Sequence, residues 1–208
     1  MWTDRFYVLA LTHPATTLAI RNSLLYSIGS TAIDLILGVV IGYLLARKTF
    51  PGKDVLDSVA MMPLALPGVV VAFGYLAPFA GTPLAPFVNP APLLIISYSV
   101  RRLPYSVRAA YAGFQQTSVA LEEASLSVGA SPLRTLSRIT APLILANVIA
   151  GGIMTFSASM MEVSDSLVLA THEEFYPITK AIYELNNRIQ DGPNIASALG
   201  TVGTIIVA

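Results

Sequence analysis

The chain has 208 residues, 54% of them hydrophobic and only 12% charged, with twelve basic side chains balanced by twelve acidic ones. A soluble domain carries about 25% charged residues, and a mean hydropathy of +0.67 belongs to a membrane protein. Zero net charge excludes the basic footprint of a nucleic-acid binder, and a chain with no cysteine has no disulfide, thiol nucleophile or cysteine metal site. Residues 1–22 mix Asp4, Arg5 and Arg21 with aromatics and threonines, which predicts a short amphipathic lead-in at a membrane surface. The first span is predicted at 22–46, apolar except for Asp34 and long enough for a hydrocarbon core of ~30 Å. Arg47, Lys48 and Lys53 follow around a Pro51-Gly52 turn, so the positive-inside rule places that turn in the cytoplasm.

A second span is predicted at 59–79 and is interrupted by Pro63, Pro67, Gly68, Gly74 and Pro78. Such a helix kinks, and its freed backbone groups need partners in the bundle or in a wet cavity; a bent structural helix and a pore-lining one both satisfy this. Pro83, Pro86, Pro90 and Pro92 read as an outer loop. The third span, 92–114, reaches membrane length only by accepting Arg101, Arg102 and Arg108 within or near the bilayer.

Residues 117–142 form a polar island between apolar runs. Glu122 and Glu123 come soon after Thr117 and Ser118, near a helix start where the macrodipole favours negative charge. Gly129 is placed to end that helix in the left-handed conformation. Ser131 then acts as N-cap and Pro132 as the first residue of a second short helix. Leu133 and Leu136 give this helix an apolar edge, Arg134 and Arg138 a cationic one, and Pro142 is expected to end it. The fourth span is predicted at 142–170, with Gly151-Gly152 and small residues allowing close helix approach and with Glu162 and Asp165 three apart on one face. Within 171–194, Ile178, Ala181, Ile182, Leu185 and Ile189 repeat at helical spacing, and Asp191-Gly192-Pro193 is expected to terminate that amphipathic helix. The apolar run 195–208 reads as a fifth helix cut short.

Glu123-Ala124-Ser125, three residues, Gly129, nine residues, Ile139, two positions and Pro142 resemble the EAA loop of bacterial ABC-importer permeases. Ser125 and Ala141 depart from that pattern by small or apolar exchanges. The resemblance implies an all-α polytopic membrane protein with a MetI-like ABC-importer transmembrane domain of about five spanning helices, in the bacterial inner membrane. It implies that Glu122, Glu123, Ala124, Gly129, Ser131, Pro132, Arg134, Ile139 and Pro142 belong to a cytoplasmic coupling loop that docks on a separate ATPase dimer. A second permease subunit or half and an extracytoplasmic substrate-binding protein are the other implied partners, besides the lipid bilayer. Asp34, Pro67, Arg101, Arg102, Glu162 and Asp165 are the residues expected along a translocation path.

No GxxxxGK[ST] phosphate loop occurs, so ATP is expected on the partner subunit, with no cofactor and no enzymatic activity in this chain. His13 and His172 lie outside any metal-ligand spacing and read as surface or interfacial residues. Arg101–Arg108 (RRLPYSVR) and Met160–Ala170 (MMEVSDSLVLA) are similar to the ferric-iron branch of the family, which makes ferric iron the first expected cargo; polyamine, thiamine, sulfate and phosphonate permeases share the architecture. The alternative from another class is a cation-coupled secondary transporter that uses Asp34, Glu162 and Asp165 as a relay.

Overall fold

The computed structural model describes residues 5–12, 14–187 and 191–207. The readings of Asp4, His13 and Ile189 fall outside them. The described residues form helices joined by turns, with no strand among them. In chain order the helices are α1 (Arg5–Thr12), α2 (Pro14–Arg47), α3 (Lys53–Met61), α4 (Gly68–Phe79), α5 (Ala91–Gln116), α6 (Val119–Ser127), α7 (Pro132–Thr135), α8 (Ala141–Met160), α9 (Ser164–Leu169), α10 (Ile178–Asn186) and α11 (Gly192–Val207). By length and composition, α2 and the continuous helix Pro132–Met160 can cross a membrane, and the broken pair α3–α4 makes a third if it is one span. Helix α5 has 26 residues, but its arginines keep it from reading as plainly apolar.

The first predicted span is longer than expected: α2 begins at Pro14 rather than near residue 22. Nothing in residues 15–21 breaks a helix, and a proline is well tolerated in the first turn. The second predicted span is interrupted rather than merely kinked. Helix α3 passes into a 3₁₀ turn at Met62–Leu64, and Pro67 adopts an extended ψ of 126° that restarts the chain as α4.

Pro142 does not end a helix. It lies in the first turn of α8, and Leu136–Thr140 is wound as a π segment in which the Ala141 N–H donates to the carbonyl of Leu136, five residues back. The wider winding accommodates a proline that offers no N–H of its own. The fourth predicted span breaks instead at residues 161–163, giving α8 and the short α9. Asp191-Gly192-Pro193 does not close the amphipathic helix either. The extended Pro177 starts that helix late, Asn187 caps its end, and the Asp191 carbonyl accepts from Asn194 and Ile195 to open α11.

The chain divides into two compact units, one of residues 1–30, 66–99 and 156–208, the other of 31–65 and 100–155. In the first unit α1 and α10 pack on α11, with Ala10, Ala19, Ile178, Ala181, Leu185 and Leu199 in the core. Tyr26, Leu93, Leu94, Tyr98 and Leu169 form a second core there, with Tyr26 and Tyr98 edge to face. Both burials are those expected of apolar helix faces facing one another.

The second unit is built on close backbone approach. A Cβ on Gly38 would lie 2.6 Å from the Ser106 Cβ, and one on Gly151 would lie 2.6 Å from the Ala109 Cβ, so α2, α5 and α8 meet where only glycine fits. Ala110, Phe114 and Ile144 fill the core beside these contacts, with Tyr43 packed edge to face on Phe114. A buried hydrogen bond of 3.0 Å links the hydroxyls of Ser106 and Thr155.

Candidate coupling segment and intramembrane charges

The 117–142 segment folds as two short helices with a break, and the break is a property of the backbone. Gly129 adopts φ +88°, and nothing lies within 4 Å of where its Cβ would be, so the glycine is required by conformation rather than by crowding. Its N–H donates to the Leu126 carbonyl at 3.0 Å, and the Ala130 N–H reaches the Ser125 carbonyl at 3.1 Å. This double closure is a Schellman motif and satisfies the orphan carbonyls at the end of α6. The Ser131 hydroxyl then accepts from the Arg134 N–H at 3.4 Å, with Pro132 as the first residue of α7. A buried hydrogen bond of 2.9 Å between the hydroxyls of Ser125 and Thr135 ties the two helices together.

That last bond explains a departure from the EAA pattern. Serine in place of the second alanine supplies a hydroxyl that faces Thr135 across the break. Glu123, Ala124, Ser131, Pro132, Arg134 and Pro142 are exposed, while Ile139 is half-buried in the π segment. Val128 and Leu133 are 86% and 75% exposed. A groove of about 250 Å³ is lined by Leu133 together with Tyr43, Glu122, Leu126, Leu136 and Thr140.

Glu122 behaves differently from its neighbour. Its carboxylate accepts from the Arg47 Nε at 3.1 Å, and the two side chains are only 14% and 7% exposed. A second guanidinium nitrogen of Arg47 donates to the Thr117 carbonyl at 2.7 Å, and the guanidinium carbon stands 5.9 Å from the Phe114 ring centroid. Sequence reasoning used Arg47 only as a topology marker. Its partners lie 70 and 75 residues away, and no local spacing announces them.

The residues expected along a path divide between the units. In the second unit Asp34 is fully buried on α2, and Arg101 and Arg102 are half-buried on α5. In the first unit Pro67 is exposed at the start of α4. Glu162 is 2% exposed, and its Oε1 accepts from the N–H groups of Ser164 and Asp165 at 2.9 and 3.4 Å, so it reaches forward to satisfy the first turn of α9. Its own carbonyl accepts from the Thr179 hydroxyl at 2.6 Å. Asp165 is fully buried and accepts a hydrogen bond from Ser97. Glu162 and Asp165 do not share the face of one straight helix, because the chain breaks between Met160 and Ser164. Among the described residues no group of three or more acidic or histidine side chains is arranged to hold a metal ion.

Residues 38–208 match the family described as "Binding-protein-dependent transport system inner membrane component". The chain is 32% identical over 179 residues to the molybdate/tungstate transport system permease protein WtpB of Pyrococcus abyssi, covering 86% of this chain and 68% of that protein. It is 30% identical over 187 residues to the ferric transport system permease protein FbpB of Actinobacillus pleuropneumoniae, covering 89% of this chain. The chain spans 26% of the length of that ferric relative. Among solved structures, a bacterial alginate ABC transporter in complex with alginate pentasaccharide-bound periplasmic protein superposes on all of this chain and on 79% of that one, with a TM-score of 0.78 at 19% identity. At that identity the likeness is one of fold.

Proposed function

Because the chain belongs to the family of binding-protein-dependent transport system inner membrane components, we propose that it acts as the permease subunit of an ATP-driven ABC importer and couples to a separate ATPase through residues 117–142. The observation that carries this reading is the exposed pair of short helices. A Schellman stop at Gly129 and a serine cap at Ser131 fix the turn between them, while Glu123, Val128 and Leu133 stand exposed and Leu133 lines a groove. Apolar side chains exposed on a rigid polar segment are what a helix-in-groove contact needs.

In this reading the partner dimer binds ATP, and its closure moves the coupling segment. The chain pairs with a second permease subunit or half in the bacterial inner membrane, and an extracytoplasmic binding protein delivers the cargo. Pro67, at the start of α4, and the half-buried Arg101 and Arg102 are the proposed path residues, with Asp34, Glu162 and Asp165 holding charge inside the fold. Ferric iron is the first proposed cargo, on the Arg101–Arg108 and Met160–Ala170 stretches and the ferric relative. Molybdate or tungstate is the second, favoured by WtpB, which the chain matches over 68% of its length.

The test is ATP-driven uptake of radiolabelled ferric iron and of radiolabelled molybdate by the chain together with its ATPase and binding protein. Glu123→Lys is expected to leave membrane abundance unchanged and to abolish uptake. ATP hydrolysis by the isolated chain would refute the division of labour. Uptake that survives without ATP but collapses with the ion gradient would favour the cation-coupled alternative.

A further inference from the structure

Three helix ends converge on one side chain in the second unit. Arg47 is the last residue of α2, and its guanidinium binds the Glu122 carboxylate in the first turn of α6 at 3.1 Å and the Thr117 carbonyl, just past the end of α5, at 2.7 Å. The face of the Phe114 ring, in the last turn of α5, packs near the same group. Each contact has a local reason. The last carbonyls of a helix lack intrahelical donors, a carboxylate is favoured near a helix start, and a planar guanidinium can serve both at once where a lysine cannot.

Burial separates this pair from two exposed ion pairs of the chain, while Lys180–Glu184 lies between them at 11% and 36% exposed. Arg5–Asp191 is 67% and 45% exposed, and Arg108–Asp57 is 48% and 39% exposed, the range in which a surface pair contributes little. Arg47–Glu122, at 7% and 14%, is largely removed from water, so loss of one partner leaves the other uncompensated. A contact held that firmly transmits displacement.

We propose that Arg47 is a positioning residue for energy coupling, the joint through which movement of α6 is passed to α2 and α5. The inference rests on the coupling role proposed above for residues 117–142. It predicts that Arg47 sets how much cargo moves per ATP hydrolysed, rather than whether the ATPase binds.

The experiment compares the unmodified complex with Arg47→Ala, Arg47→Lys, Glu122→Gln and the exchange Arg47→Glu/Glu122→Arg, at matched membrane abundance. ATP hydrolysis and uptake of radiolabelled ferric iron and molybdate are measured on the same vesicles. Arg47→Ala is expected to lower uptake per ATP about tenfold while the ATPase stays bound and active, and Arg47→Lys to recover part of that loss. The charge exchange is expected not to rescue, because a glutamate at position 47 cannot donate to the Thr117 carbonyl. Uptake per ATP unchanged in Arg47→Ala overturns the inference, and so does loss of ATPase binding in both Arg47→Ala and Arg47→Lys. If the unmodified complex shows no ATP-driven uptake, the coupling reading itself fails and this inference with it; uptake that is ATP-driven but indifferent to Arg47 sinks the inference alone.

Discussion

Two of the breaks between helices are made in contrasting ways. At Gly129 the backbone itself turns: φ of +88° closes α6, two amide bonds satisfy its end, and every group involved lies within a few residues. At residues 161–163 no glycine is present, and the break is held by a buried carboxylate. Glu162 binds the first N–H groups of α9 through its side chain and the Thr179 hydroxyl of α10 through its carbonyl. The first kind of break is exposed and self-contained, so it keeps its angle whatever the surroundings. The second is inseparable from the packing around it, since an acid that is 2% exposed survives only where its acceptors are satisfied. A local device fixes the shape of an exposed segment, and an embedded one ties a segment to the elements packed around it.

The largest effect is expected at the embedded break. Glu162→Ala leaves two amides without an acceptor in a buried place and is predicted to destabilise the protein by about 3 kcal/mol, whereas Glu162→Gln keeps a carbonyl oxygen and is predicted to lose about half as much. Thermal unfolding of the detergent-solubilised protein measures both, and an alanine variant as stable as the parent would erase the contrast. Next comes Gly129→Val, expected to strain the left-handed position by roughly 1–2 kcal/mol and to misdirect α7. Gly129→Asn is expected to be much milder, since asparagine tolerates that conformation. Normal membrane insertion with lost ATP-driven uptake is the predicted signature of the valine variant; normal uptake would show that the angle of the break is not needed. The smallest effect is Ser131→Ala, about 0.5–1 kcal/mol, because the cap is exposed and its hydrogen bond is long. Thermal unfolding of the detergent-solubilised protein reads that loss, and an unchanged stability would remove Ser131 from the device.

The same contrast explains what could be read in advance. Gly129, Ser131 and Pro132 announce themselves because each acts on its own backbone, and the apolar runs announce α2 and α8 because burial in lipid demands length and composition. Pro142 carries the local signature of a helix stop, whereas five residues of π winding upstream absorb it. Glu162 and Asp165 looked like two charges on one helical face, because nothing local to Met161 signals a break that depends on α9 and α10. The closeness of α2 to α5 has a signal in the sequence: Gly38 and Gly42 are four apart, a spacing that permits close approach, and Gly38 meets Ser106. Arg47 was read for its charge alone, since its contacts with Thr117 and Glu122 close only when distant parts of the chain fold together.

The π segment has a mechanical consequence. Because it replaces a loop, helix continues from Pro132 to Met160 for 29 residues. At 1.5 Å per residue that rod is about 43 Å long, against a hydrocarbon layer of about 30 Å. The twenty residues of α8 match the thickness of that layer by themselves, and the nine before them add on the order of 10 Å to the rod. A force applied at Pro132 would meet no slack coil on its way to Met160, because one continuous helix joins the two ends.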